Sequence, residues 1–183
     1  MKKIDSPLKY IETSLFEGAS NRKSPFHLAV ISYFYEKQSY ACNVVLREFD
    51  KEKNFLRFNS DFRSKKIKSL LVNPDIQLHF YDSSVPCQLR VSATANVIHN
   101  NEDSLLLWNN ISDMSKQCYF QKFSPGQRVV EDTDYKLSNS MDAYYNFCSV
   151  ILSIKSYDFL VLDSSVIYST NSFLLLNFFL SLL

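Results

Sequence analysis

Glycine is nearly absent from this chain: Gly18 and Gly126 are the only two among 183 residues. The phosphate-binding loops of dinucleotide-binding folds and of P-loop nucleotide hydrolases need several glycines, because their backbone must turn sharply and approach the phosphates closely. Neither loop can be built from this sequence. Any nucleotide-like ligand must therefore be held in another way.

The chain also lacks paired cysteines, clustered histidines and an excess of charge of one sign. Its four cysteines form no C-x-x-C pair, and its three histidines show no spacing of metal ligands, so we expect free thiols and no metal site. The formal net charge of +1 argues against a nucleic-acid-binding surface, which needs clustered basic residues. Met-Lys-Lys at the start is followed by polar residues and not by the apolar core of a signal peptide. These absences predict a cytoplasmic protein without a nucleic-acid partner.

Aromatic residues, in contrast, are abundant, at 15% of the chain. Together with many Val and Ile residues they favour β structure. A chain of 183 residues is long enough to bury one sizeable core, so we expect a single domain over 1–183 with its core at about 25–162.

The last segment, 163–183, is atypical because residues 173–183 read FLLLNFFLSLL. Eleven apolar-rich residues fall short of the roughly 20 that a membrane-spanning helix needs, so a membrane partner is not expected. Three interpretations stay open for this tail: packing at a dimer interface, contact with a membrane surface, or an altered end of a once longer chain. Dimer packing is preferred.

Hydrophobic periodicity predicts a mainly β chain with flanking helices. An amphipathic helix is expected over 10–19, with Ile11, Leu15 and Phe16 on one face. A helix over 102–110 would use Leu105, Leu106 and Trp108 as its apolar members, and a polar loop is expected over 124–140. Strands are predicted at 27–35, 40–49, 55–58, 76–81, 87–98, 147–154 and 159–162. Five or six antiparallel strands with few helices predict a small barrel.

A basic turn between the third strand and a helix over about 63–72 is the main candidate site. Ser60 and Asp61 are expected to cap that helix, and Arg63, Lys65 and Lys66 would place three cations in its first turn. Cations there oppose the helix dipole, whereas a bound anion would be stabilised by both the cations and the free N–H groups. The alternative of a solvated basic turn stays open.

Two further polar clusters stand on predicted strands: Arg47, and Gln88 with Arg90. A cation within an apolar strand is costly unless it pairs or binds an anion. Arg47 could pair with Glu48 or Asp50, and Arg90 with Asp82, so these clusters alone do not decide between ion pairs and a ligand site.

The order of these motifs is more specific than any one of them. Within residues 25–100 the chain resembles the pyridoxamine 5′-phosphate oxidase family, which has the FMN-binding split β-barrel fold. The motifs that carry the resemblance are Asn43-Val44-Val45-Leu46-Arg47, Ser60-Asp61-x-Arg63-Ser64-x-Lys66, Asn73-Pro74 and Gln88-Leu89-Arg90-Val91.

The resemblance implies a homodimer whose two subunits share two FMN sites. Gln88 would lie on the flavin ring or the ribityl chain, and Arg47 stands where the family keeps a cation for a phosphorylated small-molecule substrate. The strand along the flavin would consist of Asn43, Val44, Val45 and Leu46. The FMN phosphate would lie on Ser64, Lys65 and Lys66, with help from Arg63.

Three departures from the family pattern bear on activity. Cys42 stands where many members have an arginine for the FMN phosphate, and Asp82 where many oxidases have a tryptophan. Segment 166–173 holds no basic residue, although the family usually places flavin- and substrate-binding Arg or His there. The resemblance predicts an FMN-dependent oxidoreductase like pyridoxamine or pyridoxine 5′-phosphate oxidase. The alternatives are a flavin-binding or sensing module without turnover, and a barrel that has lost its cofactor and serves as an interaction protein.

Overall fold

The computed structural model of the chain describes residues 4, 6–127, 139–162, 167–173 and 177–181, with side chains as far as 162. The helices are α1 Pro7–Ser20, α2 Lys65–Val72, α3 Glu102–Asn110, α4 Asp113–Lys116 and α5 Ser140–Asn146. The strands are β1 Leu28–Tyr35, β2 Gln38–Asp50, β3 Phe55–Asp61, β4 Asp75–Asp82, β5 Cys87–Ile98, β6 Phe147–Leu162, β7 Ile167–Phe173 and β8 Asn177–Ser181.

Six of these strands close into an antiparallel barrel. The sheet order is β3-β2-β1-β4-β5-β6-β7-β8, and a further pairing of β3 with β6 closes the first six into a ring. Strands β7 and β8 extend the sheet beyond β6. The predicted antiparallel barrel with flanking helices is therefore confirmed.

Strand β6 corrects the prediction of two separate strands at 147–154 and 159–162. It is one strand of 16 residues, whose first half pairs with β3 while most of its length pairs with β5. Polar residues at 155, 156 and 158 break the hydrophobic pattern, but the backbone ladder continues past them with an irregularity at Ser92/Ala93 on β5. Backbone pairing, which the side-chain pattern does not report, joins the two segments.

Tight turns form without glycine in this chain. The hairpin between β1 and β2 turns at Glu36 and Lys37, whose φ angles are 47° and 65°. Asn54 and Asn100 also adopt positive φ, at 55° and 51°. Asparagine tolerates this left-handed region better than most residues, whereas Glu and Lys accept some strain so that a two-residue turn can match the strand twist.

Alternating side chains of the six barrel strands fill one core, which α1 and α2 also cover. On α1, Ile11 and Leu15 are buried, but Phe16 is 66% exposed and does not belong to the predicted apolar face. On α3, Trp108 is buried while Leu105 and Leu106 are exposed, so of the three predicted apolar members only Trp108 packs in a core. Trp108 packs in a second, smaller cluster with Tyr119, Ala143, Tyr144 and Phe147.

Of the apolar tail, residues 174–176 and 182–183 lie outside the described residues, as does most of the predicted loop over 124–140. Within the tail, β8 pairs with β7 in antiparallel register. Among the helices that the structure describes, none has the length and apolar character needed to cross a membrane.

Asp82 fastens α1 to the turn between β4 and β5. Its Oδ2 accepts a hydrogen bond from the Tyr10 hydroxyl at 2.8 Å, and its Oδ1 accepts from the backbone N–H and the hydroxyl of Ser84 at 2.8 and 2.7 Å. Burial opposes ionisation of this carboxyl, but the bonds from Ser84 and Tyr10 outweigh it and lower the pKa of Asp82. Asp82 thus has a structural role in attaching α1 to the barrel.

We expect the hydrogen bonds of Asp82 with Tyr10 and Ser84 to make the free energy of unfolding depend on pH. Because the folded-state pKa of Asp82 is lowered, its contribution to the free energy of unfolding is present above the ordinary carboxyl pKa of about 3.9. The contribution is lost as the pH falls below that value and through the folded-state pKa. Urea unfolding at neutral and acid pH should therefore show a smaller acid loss for Asp82→Asn than for the unaltered chain, and an equal loss would contradict the assignment.

Candidate functional site

The basic turn joins the end of β3 to the start of α2. The residue that caps α2 is Ser64, whose backbone is extended (φ −67°, ψ 150°), and its side chain makes no capping hydrogen bond. The prediction that Ser60 and Asp61 cap the helix is therefore wrong. Lys65 and Lys66 are its first two residues, while Arg63 precedes the helix. The backbone N–H groups of Lys65 and Lys66 belong to the first turn, where a helix offers no internal acceptor.

Lys66 lies beside two hydroxyl groups and a thiol. Its Nζ is 3.3 Å from Ser60 Oγ, which is 3.4 Å from Ser64 Oγ, and both serines are buried. Burial raises the pKa of the Cys42 thiol, and the positive charge of Lys66 opposes that rise. The positive charge of Lys66 therefore acts on the thiol of Cys42, which belongs to β2.

Lys65 extends toward strand β2. Its Nζ is 3.3 Å from the Tyr40 hydroxyl and 4.8 Å from the centroid of the Tyr40 ring, which in turn stacks on Tyr33. Tyr40 and Cys42 are both on β2, immediately before Asn43. The helix start and the strand predicted to run along the flavin are thus brought together in space.

Arg63 is engaged within the protein. It pairs with Asp61 through Nη2 and Oδ2 at 2.7 Å, and its guanidinium also donates to the backbone carbonyls of Gln121, Lys122 and Phe123. The turn therefore presents Lys65 and Lys66, and the arginine faces the segment after α4.

The strand predicted to line the flavin shows two different faces. Val44 and Leu46 are 6% and 2% exposed and point into the barrel core, so only their backbone groups are accessible to a ligand. Asn43 is exposed and Val45 is half-buried on the outer face. Among the side chains of 43–46, those two are available to a ligand.

Gln88 lies on that outer face, across two intervening strands. Asn43 is paired with Val30, Val30 with His79, and His79 Nε2 lies 3.3 Å from Gln88 Oε1. Three strand spacings separate β2 from β5, which amounts to about 14 Å. Because the wall of the barrel curves over this distance, the structure does not bring Gln88 next to the strand segment 43–46 of the same subunit.

Arg47 occupies an irregularity in the β2–β3 pairing, between Leu46 and Glu48. Its side chain is exposed, and Glu48 instead pairs with Arg57 at 2.6 Å, so the expected pairing of Arg47 with Glu48 is not formed. Burial raises the pKa of Tyr119, and the charge of Arg47 is one of those that oppose the rise. Arg47 is thus an exposed cation on the sheet, available to an anionic group.

Arg90 also has a different partner from the one expected. It pairs with Asp158, which lies directly opposite it on the adjacent strand β6, whereas Asp82 accepts hydrogen bonds from Tyr10 and Ser84. Two positions further along the ladder, Gln88 lies opposite Leu160.

Two residues that the sequence did not single out take part in this arrangement, Tyr40 and His79. His79 alternates with Gln77 and Tyr81 on the outer face of β4, a pattern visible in the sequence, but its neighbour Gln88 is known only from the strand pairing. Among the described residues no group of His, Cys, Asp and Glu side chains could hold a metal ion.

The donor set at the helix start fits a phosphate group. It combines two ammonium groups, two hydroxyls and the free N–H groups of a helix N-terminus, all of which favour a dianion. No carboxylate other than Asp61 belongs to the turn, and Asp61 is neutralised by Arg63. FMN carries such a phosphate, so the residues present fit that cofactor without a glycine-rich loop.

The comparisons with known proteins agree on the fold. Residues 8–99 match the model of the pyridoxamine 5′-phosphate oxidase, FMN-binding domain family. A pyridoxamine 5′-phosphate oxidase-related, FMN-binding protein from Nostoc punctiforme aligns over 100% of this chain and 99% of its own, with a TM-score of 0.76 and 15% identity. PhzG from Burkholderia lata, solved with tetrahydrophenazine-1-carboxylic acid, aligns over 100% and 94%, with a TM-score of 0.71 and 12% identity.

General Stress Protein 26 from Bacillus anthracis is a more distant neighbour, with a TM-score of 0.54, 14% identity, and 84% and 99% of the two chains covered. No curated protein sequence matches the chain significantly. At these identities the solved structures bear on the fold alone, whereas the family model covers half of the chain. The chain belongs to the pyridoxamine 5′-phosphate oxidase, FMN-binding domain family.

Proposed function

We propose that this protein binds FMN at the basic turn and acts as an oxidoreductase of the pyridoxamine 5′-phosphate oxidase type. The observation that carries the proposal is the placement of two lysines at the start of α2. Lys65 Nζ contacts the Tyr40 hydroxyl, shortly before the strand segment 43–46, and Lys66 Nζ contacts the buried Ser60 hydroxyl. Ser64, Lys65 and Lys66 would hold the phosphate, and Asn43, Val45 and the backbone of Val44 and Leu46 would lie along the flavin. Gln88 would reach the ring or the ribityl chain from β5.

Arg47 is the proposed anchor for a phosphorylated substrate. It is exposed and lies one residue beyond the flavin strand, so it could hold an anionic group beside the ring. Bound FMN would supply the redox chemistry, by accepting a hydride from the substrate and passing electrons to dioxygen. The chain's own part is to orient: Lys65 and Lys66 fix one end of the cofactor, Gln88 fixes its ring, and Arg47 selects the substrate.

A second candidate is a flavin-binding or sensing module without turnover. It is favoured by segment 166–173, which holds no basic residue to complete a substrate site. The use of Asp82 as a clamp for α1 favours it as well, because an oxidase tryptophan is absent there.

The partner is proposed to be a second copy of this chain. The outer face that carries Asn43 and His79 is also apolar, with Leu28, Val30 and Tyr81 exposed by 48%, 39% and 48%. Exposed apolar side chains next to a flavin site would be covered in a homodimer. We further propose a cytoplasmic location, because Cys42, Cys87, Cys118 and Cys148 are all free thiols.

Purification and an oxidase assay test these proposals in sequence. The purified protein should be yellow, with a flavin absorption band whose chromophore is released as FMN, and it should sediment as a dimer at micromolar concentration. Hydrogen peroxide formed from pyridoxamine 5′-phosphate would support the oxidase, and flavin binding without peroxide would support the binding module. A protein that neither retains FMN nor takes it up contradicts both, and a monomer alone contradicts the homodimer.

A further inference from the structure

The guanidinium of Arg63 donates hydrogen bonds to oxygen atoms of the protein itself. Nε and Nη2 donate to the two carboxylate oxygens of Asp61 at 3.0 and 2.7 Å. Nη1 donates to the carbonyl of Lys122 at 2.9 Å, and Nη2 also reaches the carbonyls of Gln121 and Phe123 at 2.9 and 3.1 Å. Of the five N–H groups of this guanidinium, that of Nε and both of Nη2 are engaged and Nη1 uses one of its two, so little donor capacity is left for a ligand.

Asp61 connects this arginine to the backbone of the turn. It is 8% exposed, its Oδ1 accepts the backbone N–H of Arg63 at 2.8 Å, and its carbonyl accepts the N–H of Ser64 at 3.1 Å. The direction of the chain immediately before Lys65 and Lys66 is therefore set by Asp61. Its carboxylate would repel a phosphate if Arg63 did not neutralise it.

Asn146 holds the other side of the same region. Its side-chain Nδ2 donates to the backbone carbonyls of Tyr119 and Gln121 at 2.9 and 3.3 Å. The backbone carbonyl of Asn146 accepts the N–H of Phe62 at 2.8 Å. The turn at 61–63 and the segment 119–123 are thus joined by two independent sets of hydrogen bonds.

We infer that Arg63 positions the phosphate-binding turn and does not itself bind the phosphate, an inference that rests on the proposed FMN site. Arg63 and Asp61 form a frame that ties the turn to 119–123, so that Ser64 and the ammonium of Lys66 face the ligand at fixed positions. Lysine cannot replace the arginine, because one ammonium group cannot span a carboxylate and three carbonyls in a plane. The inference departs from the sequence-based expectation that Arg63 helps to contact the phosphate.

Flavin affinities of two conservative variants test the inference. Dissociation constants for FMN and for riboflavin, which lacks the phosphate, would be measured by flavin fluorescence for the unaltered protein, Arg63→Lys and Asp61→Asn. Each variant should weaken FMN binding on the order of 10-fold, because a displaced turn misplaces the phosphate ligands. Riboflavin affinity should hardly change.

The sign of the Asp61→Asn effect separates the two roles of the arginine. If Arg63 were a phosphate ligand, loss of the carboxylate would free it and remove a nearby negative charge, so FMN would bind as tightly as before or more tightly. That result, or unchanged FMN affinity in Arg63→Lys, overturns the inference. Equal weakening of both flavins also overturns it, because it would indicate a role in the fold alone.

Glu48→Gln serves as the matched control. It removes the carboxylate partner of another arginine, Arg57, at 2.6 Å on the neighbouring strands, and it should leave the ratio of FMN to riboflavin affinity unchanged. Thermal unfolding of each variant reports on folding. If Asp61→Asn does not fold, Arg63→Lys, which keeps the positive charge, still decides between positioning and charge. An unaltered protein that binds no FMN would refute the proposed function and not the placement of Arg63.

Discussion

Lys66→Ala should weaken FMN binding on the order of 10- to 100-fold while the fold survives. The substitution removes a charge-assisted contact to a dianion, and such contacts contribute about 1.5–3 kcal/mol each. Lys66 is the half-buried lysine of the turn, with its Nζ at 3.3 Å from Ser60 Oγ, so its ammonium is already held where the phosphate would lie. Titration with FMN and with riboflavin measures the effect, and riboflavin affinity should hardly change.

Lys68 provides the control on the same helix. It is exposed and lies two residues further into α2, which turns it to a different face from Lys66, and its N–H already donates to the carbonyl of Ser64, so Lys68→Ala should leave both affinities unchanged. Equal weakening of both flavins by Lys66→Ala would make the lysine structural. No effect on either flavin would mean that the basic turn is only a solvated surface.

Gly18→Ala should cause the largest loss of stability among single substitutions considered for this chain. A Cβ at position 18 would lie 2.4 Å from the carbonyl oxygen of Phe26 and 2.7 Å from its carbonyl carbon, both backbone atoms that cannot move aside. Phe26 is buried and stacks on Phe80, so displacing it disturbs the barrel core as well. The carbonyl of Gly18 also contacts His27 Nδ1 at 2.7 Å.

We expect Gly18→Ala to lower the free energy of unfolding by about 2–3 kcal/mol, since overpacking outweighs the better helix propensity of alanine. For a chain of this length that corresponds to a fall in Tm of roughly 5–10 °C. Gly126 is the contrasting control, because its φ of 83° is strained for alanine but nothing lies within 4 Å of a Cβ there. Gly126→Ala should cost about 1 kcal/mol, and an equal or smaller loss at Gly18 would contradict the close approach.

Strand and helix positions were largely predictable because alternation is a local signal. The bounds predicted for β5 and α3 are the observed ones, and the buried side chains of β5 are those that alternation selects, such as Leu89 and Val91. The errors on the helix faces have one cause. Phe16 and Leu105 carry apolar side chains that no other element covers, and a single helix cannot reveal which of its faces will be covered.

The sequence indicated where the candidate site lies, but not which partners each of its side chains contacts. A family resemblance spread over four motifs indicated the basic turn, and the cations at its helix start pointed to an anion without reference to the family. That Arg63 turns toward Asp61 and the carbonyls of 121–123 could not be predicted, because those carbonyls lie some sixty residues away and backbone groups leave no trace in side-chain patterns.

The sequence by itself determined that the chain forms an antiparallel barrel, that no glycine-rich loop holds a nucleotide, and that a basic turn precedes a helix. These follow from local periodicity and from which residue types are present. Only the tertiary structure decided that β3 closes on β6, that Lys65 contacts Tyr40 on β2 and Lys66 contacts Ser60 on β3, and that Arg63 pairs with Asp61 and the carbonyls of 121–123. Those outcomes depend on contacts between segments far apart in the chain, where several charged partners compete and geometry alone selects one.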